Sequence, residues 1–227
     1  MDTKQKLILK KAWKNISNIE KQLLKRILDI SFKYKLAHLG SCLSALPIIY
    51  NIYLLKEEKD IFILSCGHAG LALYVVLEHF YGINAEELLK KHGVHPNRDL
   101  KNNIYCSTGS LGLGLPIAVG SAIANKDKKV FCLISDGECA EGSIWESLCF
   151  IYKQSINNII VLVNINGYSA LEEINTSYLK TRLKTFLPKI ITINTPSNFT
   201  GIPNGLEAHY HILSKDNYEE AIKQFII

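Results

Sequence analysis

An α/β fold, a parallel sheet flanked by helices, is predicted by three observations. Short apolar runs at residues 61–64, 130–134 and 159–163 alternate with longer stretches of helical periodicity, as in parallel strands buried on both faces. A glycine-rich turn, T-G-S-L-G-L-G-L-P, runs into a helix of small residues. Each apolar run is followed by polar groups, His68, Asp136 and Asn166, at the strand ends where ligands of such sheets bind.

Taken in order, Ser17 and Glu20 form a capping-box pair, and Ile19, Leu23, Ile27, Ile30 and Tyr34 recur at helical spacing. Residues 35–44 read as a loop, with Ser44 capping a helix through Leu55. Asp60 leads into the strand I-F-I-L, which ends at S-C-G-H. Helices follow at 70–81, stopped by Gly82, and from the Asn84 cap to Gly93, and then a loop at 94–103. Pro116 suits the first turn of the helix after the glycines. Strand 130–134, helix 142–154 and strand 159–163 make a right-handed parallel unit. Helix 176–186, strand 189–193, an irregular stretch 195–208 and a closing helix 218–226 complete the chain.

The 227 residues, 48% hydrophobic and 21% charged, suit a single domain over 1–227. No run reaches the ~18 unbroken apolar residues of a membrane span, since the nearest, 41–55, carries Asn51. The first residues lead into no signal-like apolar core, and a soluble, cytoplasmic protein is expected. The six cysteines contain no C-x-x-C pair and are expected to be reduced thiols, not a zinc site. Ten Lys and Arg against three acids in the first 35 residues read as a solvated helix face, so no nucleic-acid partner is expected.

Asp136 and Asn166, each closing a strand, would supply two hard oxygen ligands side by side, which suits a Mg²⁺ bridging a diphosphate. The glycines from Gly109 to Gly114 can bring backbone N–H groups and a helix N-terminus to an anion. Each part alone has a plainer reading: a tight turn for the glycines, a helix cap for Asp136, a satisfied polar residue at a helix start for His68. Their combination favours a metal and diphosphate cradle.

The segment S-D-G-E-C-A-E-G-S-I-W-E-S through N-I-N-G resembles the thiamine diphosphate motif of the transketolases, G-D-G-E-x-x-E-G-x-x-W-E-A closing with D-x-N-G. L-S-C-G-H-A, T-G-S-L-G-L-G and A-H-L-G-S-C-L-S-A resemble three further motifs of that family, in the family's order over residues 20–170. The resemblance implies the thiamine diphosphate-binding, diphosphate-domain fold. It implies Mg²⁺ held by Asp136, Asn166 and the Tyr168 carbonyl. His68, Gly137 and the turn of Gly109, Ser110 and Leu111 would meet the diphosphate, with Glu141 in a carboxylate network near the cofactor. His38, His95 (in V-H-P) and His209 would face the sugar substrate, while His79 and His92 match nothing and are read as structural, on helix surfaces. Departures are Cys66, Leu113, Leu39, Ser135 and Asn164, and the stretch 175–188 is shorter than the family's.

In transketolases the glutamate that activates the cofactor comes from a pyrimidine-binding domain, and none follows here. The resemblance therefore implies the N-terminal subunit of a split transketolase, paired with a C-terminal subunit in an α2β2 heterotetramer. Two alternatives stay open: the α chain of a thiamine-dependent 2-oxo acid dehydrogenase or decarboxylase, and a non-catalytic protein retaining the fold.

Overall fold

The apolar runs do form strands, and they pair in chain order. A computed structural model describes residues 1–225, in which β1 (Ile61–Leu64), β2 (Val130–Ser135), β3 (Ile159–Ile165) and β4 (Ile191–Asn194) make one parallel sheet in the order β1-β2-β3-β4. Successive strand side chains point to opposite faces, which divides the core in two. Ile61, Ile63, Cys132, Ile134, Val161 and Val163 belong to one apolar cluster, while Phe62, Leu64, Phe131, Leu133 and Leu162 belong to the other.

Helices cover both clusters. On the second lie α1 (Thr3–Lys10), α2 (Asn18–Tyr34), α3 (Leu39–Leu55), α4 (Gly70–Tyr81) and α5 (Ala85–His92), joined near the end of the described residues by α9 (Lys215–Ile222) against α2. On the first lie α6 (Gly114–Ala124), α7 (Gly142–Lys153) and α8 (Thr176–Phe186). Leu24, Ile27 and Leu28 of α2 are fully buried, each contributing about 1.5–3 kcal/mol relative to exposure. All six cysteines are free, five of them buried and Cys149 half-buried. No helix among the described residues is long and apolar enough to cross a membrane.

Several elements differ from expectation. Helix α1, capped by an Asp2 and Gln5 box, precedes the first expected helix and packs on β4, the last strand in the sheet order. The expected loop at 35–44 is largely helix: α3 starts at Leu39, with His38 as its N-cap. Ser44 is buried inside that helix, and Asn164 Nδ2 donates to its Oγ at 2.9 Å. Burial of Leu39 and Leu43 extends the helix past the local capping signal. The closing helix begins at Lys215 behind a Ser214 cap and gives way to a 3-10 turn at Lys223–Phe225, and its expected last residue, Ile226, lies outside the described residues.

Candidate functional site

Five segments meet at the carboxyl edge of the sheet. Beyond β1, the 3-10 turn Gly67–Ala69 carries His68, and a Cβ on Gly67 would stand 2.6 Å from the Thr108 carbonyl carbon. That close approach brings the glycine-rich turn against the β1 end, and Gly114 does the same against Ser65, where an added Cβ would lie at 2.5 Å. Beyond β2 comes Asp136 and beyond β3 comes Asn166. His38 sits at the α3 start with φ +60°, and its backbone N–H donates to the His209 carbonyl at 3.0 Å.

These segments enclose a cavity of about 180 Å³ whose walls include His38, His68, His95, Gly109, Leu111 and Asn166. Gly137, Tyr168 and His209 line it as well. The His38 ring lies 4.5 Å from that of His209, 5.7 Å from His68 and 6.3 Å from His95, centroid to centroid. Burial, then the neighbouring His209 and His95, pushes the His38 pKa down to about 4. Burial, then His38, His209 and His95, pushes His68 down to about 3, and burial lowers His209. His38 and His68 are thus neutral at pH 7, able to donate from one nitrogen and accept at the other. The His38 Nδ1 atom is buried without a hydrogen-bond partner among the described residues, which leaves it available to a ligand.

Asp136 and Asn166 close on one turn. Asp136 Oδ2 accepts from the Gly167 N–H at 2.7 Å and Oδ1 from the Gly137 N–H at 3.1 Å, while Asn166 Oδ1 accepts from the Tyr168 N–H at 2.9 Å. Gly167, at φ +90°, permits this tight return of the chain. Asp136 is 2% exposed, burial pushes its pKa up to about 6, and no ion pair among the described residues involves it. A divalent cation would relieve a buried carboxylate lacking a cationic partner, and the Asn166 side-chain oxygen, on the turn that Asp136 grips, is a second hard-oxygen donor. The residues present fit Mg²⁺. Asp136 also caps the 3-10 turn Gly137–Ala140, while α7 starts from Glu141, so the plainer capping reading holds at this turn and not at the following helix.

Some expected residues stand apart. Ser110, Glu141 and Asp136 do not line the cavity: Ser110 and Glu141 are exposed, Glu141 beside Gly112, while Asp136 is buried between the lining residues Ser135 and Gly137. His92 is not on a helix surface: its side chain is 4% exposed, with Nε2 3.2 Å from Asp99 Oδ2, a pairing across a loop that helical periodicity cannot show. Asn164, where the family motif has Asp, is buried, donating to Ser44 Oγ and accepting from Thr195 Oγ1 at 2.5 Å, so it joins α3 to the β3 end. The sequence reading missed Ser41, Ser135 and Ser169 in the cavity wall and the buried Glu138. Glu138 stands in the same motif as Asp136, and its position there was the available signal.

Residues 25–209 match the family described as "Transketolase, thiamine diphosphate binding domain". The chain belongs to the transketolase family. One of the subunits of an apulose-4-phosphate transketolase of Phocaeicola vulgatus is 32% identical over 162 residues, covering 63% of this chain and 57% of that protein. Transketolase-like protein 2 of Mus musculus is 36% identical over 140 residues, covering 54% of this chain and 22% of that one. Among solved structures, a transketolase from Campylobacter jejuni superposes with a TM-score of 0.70 at 22% identity, over 99% of this chain and 43% of that one. A transketolase mutant from Pichia stipitis gives 0.72 at 17% identity, over 92% and 41%. This chain thus spans little more than half of the first of these curated relatives and less than a quarter of the second. The fold expected from the sequence is the transketolase diphosphate-domain fold, and these superpositions share it.

Proposed function

We propose that residues 1–227 form one diphosphate-binding domain acting as the N-terminal subunit of a two-component, cytoplasmic transketolase. It moves a two-carbon ketol unit from a ketose to an aldose acceptor, together with a pyrimidine-domain partner in an α2β2 assembly. The observation that carries this reading is the single cavity shared by His38, His68, His95 and His209 with Gly109, Gly137 and Asn166. The Phocaeicola vulgatus relative is itself named as one subunit of its transketolase, which supports a second polypeptide here.

Asp136, Asn166 and the Tyr168 carbonyl would hold Mg²⁺, while His68, Gly137 and the turn at 109–111 would receive the diphosphate. Thiamine diphosphate, when bound, would supply the nucleophilic carbon that carries the two-carbon unit between sugars. Neutral His38 can take a proton from a sugar hydroxyl and return it, with His95 and His209 orienting the hydroxyls around it. Its low pKa keeps the base form populated throughout the neutral range.

Mixing the chain with its pyrimidine-domain partner, thiamine diphosphate and Mg²⁺ tests the reading by ketol transfer between sugar phosphates. Turnover is expected from the pair and not from the chain alone. Full turnover by the isolated chain overturns the two-component reading, and CO₂ release from a 2-oxo acid by the pair replaces it with decarboxylation.

A further inference from the structure

Glu138 is completely buried, and it does not line the cavity. Its Oε1 accepts from Ser65 Oγ at 2.7 Å and from the Gly112 N–H at 3.0 Å, and its Oε2 accepts from the Ser135 N–H at 3.0 Å. Those three donors lie at the end of β1, in the glycine-rich turn and at the end of β2. The same three segments carry His68, the 109–111 turn and Asp136.

Residues 109–114 read G-S-L-G-L-G and contain no charged side chain, so the turn has little of its own to fix its shape. Gly112, at φ +78°, is instead held from outside on both polar groups, its N–H by Glu138 and its carbonyl by Ser143 Oγ at 2.8 Å. Both grips come from the segment just after Asp136. Turn and metal motif are thereby fastened to one another inside a single chain, through residues that do not line the cavity.

We propose that Glu138 is a positioning residue that sets the glycine-rich turn at the spacing from Asp136 that a metal-bound diphosphate requires. This rests on the thiamine diphosphate reading of the cavity. All three neighbours donate, so an amide at this position directs its NH₂ at a donor and releases at least one segment.

The test uses the full chain with its pyrimidine-domain partner, titrated with thiamine diphosphate in excess Mg²⁺. Calorimetric Kd, melting temperature without cofactor and kcat at saturating cofactor are read together. Glu138→Gln is expected to raise Kd about tenfold or more while kcat at saturation stays within about twofold, the range over which outer-shell contacts act. Ser65→Ala, which removes one donor and leaves the carboxylate, should raise Kd less and in the same direction, and it decides the matter if Glu138→Gln does not fold. A lowered melting temperature with Kd within about twofold of wild type is the mark of a purely structural carboxylate and overturns the proposal. So does a fall in kcat with Kd unchanged. Failure of the wild-type pair to bind the cofactor removes the cofactor reading itself, a result distinct from the others.

Discussion

The imidazole cluster at the sheet's carboxyl edge and the ion-pair cluster joining α2, α4 and α5 treat polar groups in opposite ways. In the helical layer Arg26 Nε meets Glu78 at 3.0 Å and Nη1 meets Glu86 at 3.2 Å, while Lys33 and the Tyr34 hydroxyl also reach Glu86, at 2.6 and 2.7 Å. Hydrogen bonds from Lys33 and Tyr34, with Arg26 behind them, hold the Glu86 pKa down to about 2. Every charge there has a counterpart. At the sheet edge, imidazoles crowd imidazoles and Asp136 is buried without a cation. Structure is stabilised where charges are matched, and the mismatch is concentrated where a ligand would complete it.

The most direct way to break this contrast is Asp136→Asn. It should weaken Mg²⁺-dependent binding of thiamine diphosphate by about 100-fold or more, beyond most outer-shell changes, with circular dichroism unchanged. Binding within about threefold of wild type would show that the carboxylate is not the metal anchor.

Acid sharpens it. His38 and His68, lowered from 6.5 to about 4 and about 3, contribute stability that is present above pH 6.5 and lost as pH falls toward those values. Asp136, raised from 3.8 to about 6, acts with the opposite sign: its contribution is present at low pH and lost as pH rises through 6. Near pH 5 the unfolded chain carries protons on both imidazoles and the folded chain carries one on Asp136, so these three groups together take up about one net proton on unfolding. Denaturant titrations of the cofactor-free chain between pH 6.5 and 4.5 should show stability falling, with His209, also lowered by burial, adding in the same direction as His38 and His68. His38→Asn should make the fall shallower, and a slope unchanged by that substitution would contradict the assignment. Glu86 keeps its ion pairs until far more acid conditions, since its stabilisation is lost only as pH falls from 4.5 toward 2.

On the matched side, Arg26→Ala should cost about 1 kcal/mol in urea denaturation, because Glu78 loses its ion pair while Glu86 keeps Lys33 and Tyr34. Cofactor affinity should not change. Lys33→Ala, at a lysine 61% exposed, should cost less than Arg26→Ala does. A larger loss would mean that the outer arm of the cluster counts for more than its exposure allows.

The strands were legible because continuous apolar runs leave little alternative, and Asp136, Asn166 and His68 followed from the strand ends. The α3 start was not, since Ser44 offers a sound local cap and only the burial of Leu39 and Leu43 against other elements extends the helix backward. That shift places His38 on a helix terminus in the left-handed conformation, where the sequence suggested a loop. Glu138 was hidden by company: among three acids in six residues, nothing local says which grips the turn after β3, which ties the glycine-rich turn and which meets the solvent. Pairings across long separations, such as Glu138 with Ser65 and Asn164 with Ser44, have no signature in periodicity.

With five of the six thiols enclosed by the core, Cys149 alone keeps a partly open flank, on α7 directly downstream of the acidic motif. A maleimide fluorophore applied to the folded chain should therefore attach once per molecule and at a known spot. Without any engineering, the protein carries its own handle for testing whether a second polypeptide docks beside α7.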